Sequence, residues 1–259
     1  MNPETLKNEL AAIKTFFDAE DRKHPSFLLF DLEPTNFFRQ SEEYCRELLG
    51  EWDSNFKILD VGCGDGTDAI VLAAKSNQVW GIDISQTRLI KAQEKVRIMG
   101  LEDRVHFDLM DANQLEFSDN FFDLIIGNSV LLFLDRERFS HECLRVLRPG
   151  GRALFSNESL ANHPLLKLRR MLPSVRAREK IADRLNLAKI IEIGKIFTIV
   201  NHREFYLTSV LLSPFLKHVG KYEIAGSLLN ALNKFDDFLI RISPMLRNYC
   251  WLSVIELEK

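Results

Sequence analysis

The spacing of apolar positions changes along the chain, and the changes mark the elements. Residues 4–19 place Leu6, Leu10, Ile13, Phe16 and Phe17 at helical spacing, which predicts an amphipathic helix; a second helix fits about 36–49. From residue 56 short apolar runs alternate with helical stretches. "FKILDVG" reads as a buried strand and 66–76 as a helix. "QVWGIDIS" reads as a strand and 86–99 as a helix that Gly100 closes as a C-cap. "RVHFDLMD" is a strand, "FDLIIGNSVLLF" begins as one, and a helix follows over about 135–147. Pro149-Gly150-Gly151 then turns into the strand "RALFSNE". After Glu158 the alternation stops. Residues 163–195 read as helical and basic, "GKIFTIVNHREFYL" as a candidate strand, 207–241 as helical and apolar, and "NYCWLSVIELE" as a last strand.

Short apolar strands alternating with helices predict a parallel sheet covered on both faces. Right-handed crossovers make a doubly wound α/β sandwich the leading topology. The last strand has to return to that sheet, so 159–245 is expected to be an insertion over its carboxyl edge and not an independent domain. With 46% hydrophobic residues the chain can bury a large core. The net charge of −3 argues against a dedicated nucleic-acid binder, yet it is unevenly spread. Residues 1–150 carry 17 basic and 27 acidic side chains, a balance of −10; residues 151–259 carry 17 and 10, a balance of +7. The two parts are expected to face different partners. Cys45, Cys63, Cys143 and Cys250 form no CxxC pair, so neither a disulfide framework nor a zinc cluster is expected, and a reducing, cytoplasmic location is. "MNPETLKNELAAIK" has no apolar signal core, and no run approaches the ~18 apolar residues of a membrane span. No His/Asp/Glu spacing points to a metal site.

Candidate chemistry centres on "ILDVGCGDGTDAI", where Gly62, Gly64 and Gly66 separate a strand from a helix. In a doubly wound sheet such a turn lies where ligands bind, with helix N–H groups aimed at them. A dinucleotide fingerprint, GxGxxG, would put its third glycine where this chain has Thr67; here the pattern is GxGxG. Asp83 ends the second strand, placed to accept from ribose hydroxyls of either kind of nucleoside cofactor, and Asp111 ends the third, placed for an adenine amino group. The plainer alternative is that these acids only cap helices.

"LDVGCGDGT", "GIDIS", "MDANQLEF", "FDLIIGNSVLLFL" and "CLRVLRPGGRALF" together resemble the successive motifs of class I S-adenosylmethionine-dependent methyltransferases of the small-molecule type, over about residues 56–157. The resemblance implies a Rossmann-like α/β sheet of seven strands, mostly parallel with an antiparallel last strand, plus a helical lid insertion. The organisation it implies is 1–50 N-terminal helices, 51–158 cofactor-binding core, 159–245 lid and acceptor-binding insertion, and 246–259 final strand. S-adenosylmethionine is the implied cofactor. Asp60, Gly62, Cys63 and Gly64 would surround its amino-acid part, Asp83 its ribose, Ile84, Asp111 and Ala112 its adenine. Asn128 would lie near the reacting methyl, and Arg39 is a candidate for the cofactor carboxylate. Where many small-molecule members carry a His after the fourth strand, this chain reads Val130-Leu131-Leu132-Phe133.

A general base is therefore sought elsewhere, and Glu158 and His163, just after the fifth strand, are the candidates. Arg169, Arg170 and Arg176 lie in a basic stretch that could clamp a carboxylate or phosphate, or form a solvated helix face. "LTSVLLSPFLKHV" is apolar on nearly every side and reads as a greasy lid, which could also rest on a membrane surface. The expected acceptor is a small molecule with an apolar body and a polar or anionic end, methylated at O or N. A catalytically silent cofactor-binding interaction protein and a nicotinamide-dependent oxidoreductase are the alternatives.

Overall fold

The computed structural model describes residues 38–50, 55–73, 78–169, 182–212 and 222–259. The apolar runs become the strands of one sheet. β1 (Lys57–Val61) pairs in parallel with β2 (Gln78–Asp83) on one side and with β4 (Phe122–Asn128) on the other. β3 (Val105–Leu109) extends the sheet beyond β2, and β5 (Leu147–Ser159) extends it beyond β4. β7 (Leu252–Glu258) runs antiparallel to β5, and β6 (Ile199–Phe205) antiparallel to β7. The order is β3-β2-β1-β4-β5-β7-β6, the seven-stranded, mostly parallel sheet with an antiparallel last strand that the sequence implies. Strand order reverses between β1 and β4.

The period of two sends neighbouring apolar side chains to opposite faces. Leu59 and Ile125 enter one core cluster with Phe122, Phe139 and Phe155, while Ile58, Leu124 and Ile126 enter the other with Leu72, Val79 and Val254. The helices on the two faces are α1 (Arg39–Leu49), α2 (Thr67–Ala73), α3 (Gln86–Met99), α4 (Arg136–Val146), α5 (Pro164–Arg169), α6 (Leu187–Gly194) and α7 (Tyr222–Ile242). α3 has the ends the sequence predicts. The Ser85 hydroxyl accepts from the Arg88 amide at its start, and Gly100, at φ 65°, closes it in the left-handed conformation.

The part beyond Glu158 is more broken than its sequence pattern predicts. Only Pro164–Arg169 and Leu187–Gly194 of the helical 163–195 stretch are described as helix, and Leu185 between them bridges in parallel to Leu160. The candidate strand in 194–207 is β6, an edge of the sheet, so this segment supplies a strand as well as helices. The 207–241 stretch holds a 3₁₀ turn, Ser209–Leu212, and then α7, with 213–221 outside the described residues. The predicted helix over 4–19 also lies outside them.

Candidate active site

At the β1/β4 reversal the carboxyl ends of β1, β2 and β4 open into a cleft of about 640 Å³, counting its open mouth. Gly62, Asp83, Ile84, Asp111, Ala112 and Asn128, all singled out in the sequence, line it. The glycine turn takes left-handed backbone at Gly62 and Gly66, with φ of 68° and 74°. A Cβ on Gly62 would lie 2.9 Å from Val130 Cγ2, against the cleft wall. A Cβ on Gly66 would lie 2.5 Å from the Phe107 ring and 2.8 Å from Ala92 Cβ. The first glycine thus keeps space at the ligand side, and the third lets the turn close onto β3 and α3.

The acids divide the cleft. Asp83 is buried, and its Oδ2 accepts from the Gly64 amide at 2.9 Å while Oδ1 accepts from the Ser85 amide at 2.8 Å. Asp83 therefore also holds the glycine turn to β2, a second task that its sequence position does not reveal. Burial raises its pKa against the opposing amides and the nearby Arg88 charge. A carboxylate has about four acceptor sites, so lone pairs remain for hydroxyls in the cleft. Asp111 uses Oδ1 to accept from the backbone and side-chain nitrogens of Asn113, both at 2.9 Å, which orders the turn and leaves Oδ2 for a ligand. Asp60 is buried behind the turn, and its Oδ2 has no hydrogen-bond partner. Burial, with Asp68, Asp83 and Asp65 nearby, pushes its carboxyl well above the usual range. Cys63 is buried and its thiol is likewise pushed up, so it stays neutral; its amide donates to Ile82 O.

Asn128 ends β4 beside Ser129, which adopts φ 56°. Asn157, at φ 52° in a bulge of β5, donates from Nδ2 to Asn128 Oδ1 at 3.3 Å. The Ser41 hydroxyl of α1 reaches Asn157 Oδ1 at 2.9 Å, and the Ser41 amide donates to the Tyr206 hydroxyl at 3.1 Å. Three of the four non-glycine residues with positive φ among the described residues, Ser129, Asn157 and Tyr206, belong to or adjoin this buried polar chain.

The two candidate bases are committed elsewhere. Glu158 is fully buried, and its Oε1 accepts from the amides of Val130 at 2.8 Å and Leu131 at 3.1 Å. It pins the loop that walls the cleft and does not line the cleft itself. Burial pushes its pKa to about 8. His163 Nε2 donates to Leu207 O at 3.1 Å, and Nδ1 accepts from the Leu165 amide at 3.2 Å. Both ring nitrogens are in use, and burial lowers the pKa, so the ring is neutral and structural. Arg39 pairs with Glu43 of its own helix at 2.6 Å and is not among the residues that line the cleft. The Arg169 side chain, Arg170 and Arg176 lie outside the described residues.

The sequence reading missed Arg88, Met110, Val130, Phe133 and Leu134 in the cleft wall. Arg88 sits one turn into α3, and its guanidinium would lie 3.1 Å from a Cβ on Gly64. Its spacing from Asp83, across the Ser85 cap, is the signal that could have found it. Among the described residues no cluster of His, Cys, Asp and Glu could hold a metal ion.

Residues 52–204 match a methyltransferase-domain family. The methyltransferase GfsG of Streptomyces halstedii is 48% identical over 98 residues, 37% of this chain and 35% of that protein. The phosphatidylethanolamine N-methyltransferase of Cereibacter sphaeroides is 32% identical over 142 residues, 54% of this chain and 68% of that protein. The chain spans less than half the length of several curated relatives it matches. A solved Haemonchus contortus phosphoethanolamine N-methyltransferase 2, in complex with S-adenosyl-L-methionine, superposes with a TM-score of 0.63 at 20% identity, covering 94% of this chain and 60% of that one. With a methyltransferase domain over more than half its length, folded around a cleft at the switch point, the chain belongs to the class I S-adenosylmethionine-dependent methyltransferases.

Proposed function

We propose that the protein transfers a methyl group from S-adenosylmethionine to an oxygen or nitrogen of a small acceptor with an apolar body and a polar or anionic end. The observation that carries the acceptor's character is the wall beyond Asn128. Val130, Phe133 and Leu134 form it, and no ionisable side chain lines that end of the cleft among the described residues. Relatives whose names give N-methylation of phosphatidylethanolamine and O-methylation of a rifamycin support the same range of acceptors.

The residues present fit the cofactor. Asp83 offers acceptors to ribose hydroxyls and Asp111 an acceptor to an adenine amino group. Asp60 offers a buried, unanswered oxygen, and an ammonium nearby would restore its charge. Bound S-adenosylmethionine supplies a methyl group on a sulfonium centre, which needs little from the protein beyond in-line placement. This chain's part is to orient and to exclude water. The Asn157–Asn128 hydrogen bond fixes the carboxamide at the reacting end, and Glu158 fixes the loop opposite. With Glu158 and His163 committed, the acceptor nucleophile should carry its own lone pair at neutral pH, as an amine or an acidic hydroxyl does.

Methyl-labelled S-adenosylmethionine offered with amphiphilic amines and hydroxyl compounds tests this. Label should pass to amines and acidic hydroxyls with apolar bodies. Transfer only to fully polar acceptors would refute the acceptor reading; cofactor binding with no transfer to any would favour the silent interaction protein. Arg169, Arg170 and Arg176 are proposed to hold the anionic end. Replacing all three with Ala should raise acceptor KM at least ~10-fold and leave S-adenosylhomocysteine affinity within about twofold.

A further inference from the structure

α7 is inside out. A helix on a water-soluble protein turns its apolar stripe to the core and its charges to solvent. α7 turns Asp236 and Asn233 inward, 2% and 6% exposed, and turns Phe235, Phe238 and Ile242 outward, 48%, 57% and 66% exposed. At ~3.6 residues per turn, Leu228, Phe235, Phe238 and Ile242 fall within about a quarter of the helix circumference, opposite the buried side. Met245, 78% exposed, continues the stripe past the helix end. The inward carboxylates explain how the helix is held. Asp236 accepts five hydrogen bonds from Leu207, Thr208 and Ser209, and Asp237 meets Arg203 and Gln40. They do not explain why large apolar side chains face water.

Two further observations say what covers them. The charged side chains along the border of the stripe are Lys234 and Arg241, both exposed and neither ion-paired with a described residue. The acids of α7 between Leu228 and Ile242 are the two engaged with the rest of the fold. The outward face is therefore apolar with a basic margin. It also sits at a particular edge. Asp236 grips Leu207–Ser209 just beyond the carboxyl end of β6, and the 3₁₀ segment Pro244–Tyr249 leads into β7 where Leu252 pairs with Ser159, the carboxyl end of β5. The cleft opens from the carboxyl ends of β1, β2 and β4 in the same sheet.

We propose that the outward face of α7 docks on an anionic lipid surface. Phe235, Phe238, Ile242 and Met245 enter the interface, and Lys234 and Arg241 meet lipid phosphates. No described helix is long and apolar enough to cross a membrane, so the contact lies in the plane of the interface. Docking in this orientation sets the ligand edge of the sheet against the lipid. The inference stands apart from the identity of the acceptor, since it is read without turnover.

The test is cosedimentation of the full chain with phosphatidylcholine vesicles, with and without phosphatidylglycerol. Wild type should bind the mixed vesicles and bind pure phosphatidylcholine several-fold less. The double variant Phe238→Glu/Ile242→Glu should lose at least ~10-fold of that binding. Lys234→Ala and Arg241→Ala should each cost about fivefold on mixed vesicles. All are exposed positions, and unchanged S-adenosylhomocysteine affinity checks that each variant is folded. Failure of wild type to bind, or unchanged binding by the double variant, overturns the proposal. So does light scattering showing a wild-type dimer that the double variant breaks without any lipid effect, which would make the face a contact between copies.

Discussion

The two halves of the sheet bury their acids to different ends. Under the glycine turn, Asp60 is 4% exposed with one carboxylate oxygen unanswered, and its carboxyl is pushed far up by burial and by neighbouring acids. Beyond β5, Asp236 is 2% exposed, and both of its oxygens are saturated by the amides and hydroxyls of Leu207–Ser209. An unsatisfied buried carboxylate is costly unless something later answers it, whereas a saturated one ties elements together. The first half thus holds polar capacity in reserve for a ligand, and the second spends it on its own architecture. Mutations should separate the two roles.

The largest effect is expected in the second half. Asp236→Ala removes five hydrogen bonds and leaves three amides without their acceptor, which should cost roughly 3–5 kcal/mol of stability. Tm should fall by roughly 10 °C in a chain of this size. Below that transition, calorimetry should find S-adenosylhomocysteine affinity within about twofold of wild type. A large loss of affinity in the folded variant would break the division between the halves.

Next comes Asp83→Ala, which should weaken S-adenosylhomocysteine by on the order of 1.5–3 kcal/mol. Both ribose acceptors go, and so does the grip on the Gly64 amide. Asp83→Asn retains one acceptor oxygen and should lose less. Equal affinity for wild type and Asp83→Ala would mean that the cleft is not the cofactor site.

The halves also differ in how far they could be read from sequence. β1 to β5 announce themselves because each is a short apolar run between a turn and a capped helix. Gly62, Asp83 and Asp111 follow because their roles depend on position along a strand end. Glu158 and His163 were placed at the correct edge, but their roles depend on partners 27 and 44 residues away, Leu131 and Leu207. A carboxylate bound to amides and one facing a substrate look the same in a sequence. α7 was legible as a helix, and its apolar character as a lid, but which of its faces is buried was not. That choice is made by Asp236 finding the Leu207–Ser209 amides, a contact with no local signature. β6 was only a candidate because its pairing partner, β7, comes some fifty residues later.

The smallest effect belongs to Glu158, where the halves meet. Its Oε1 holds the Val130 and Leu131 amides, and its Oε2 is buried without a partner. Burial pushes its pKa to about 8, above the ordinary carboxylate value, so the folded state keeps a proton that the unfolded state releases. In the window from about pH 4.5 to pH 8 the unfolded chain binds fewer protons at this site, and stability therefore falls as pH rises. The slope from this one group is at most about 1.4 kcal/mol per pH unit. Glu158→Gln keeps an oxygen for the two amides and cannot ionise. Its stability should decline less steeply with pH than that of wild type, by up to one proton across that window. Asp60 and Asp83 shift in the same direction and remain in both proteins, so the difference between the two curves isolates Glu158. Denaturant titrations at a series of pH values measure it. Parallel curves would mean that Glu158 is ionised in the fold, and if turnover then fell with the substitution, the carboxylate would return to consideration as a group that meets the acceptor. A flatter curve for the variant makes Glu158 a neutral strut behind Val130 and Leu131, and the nucleophile's proton has to leave by way of the acceptor's own chemistry.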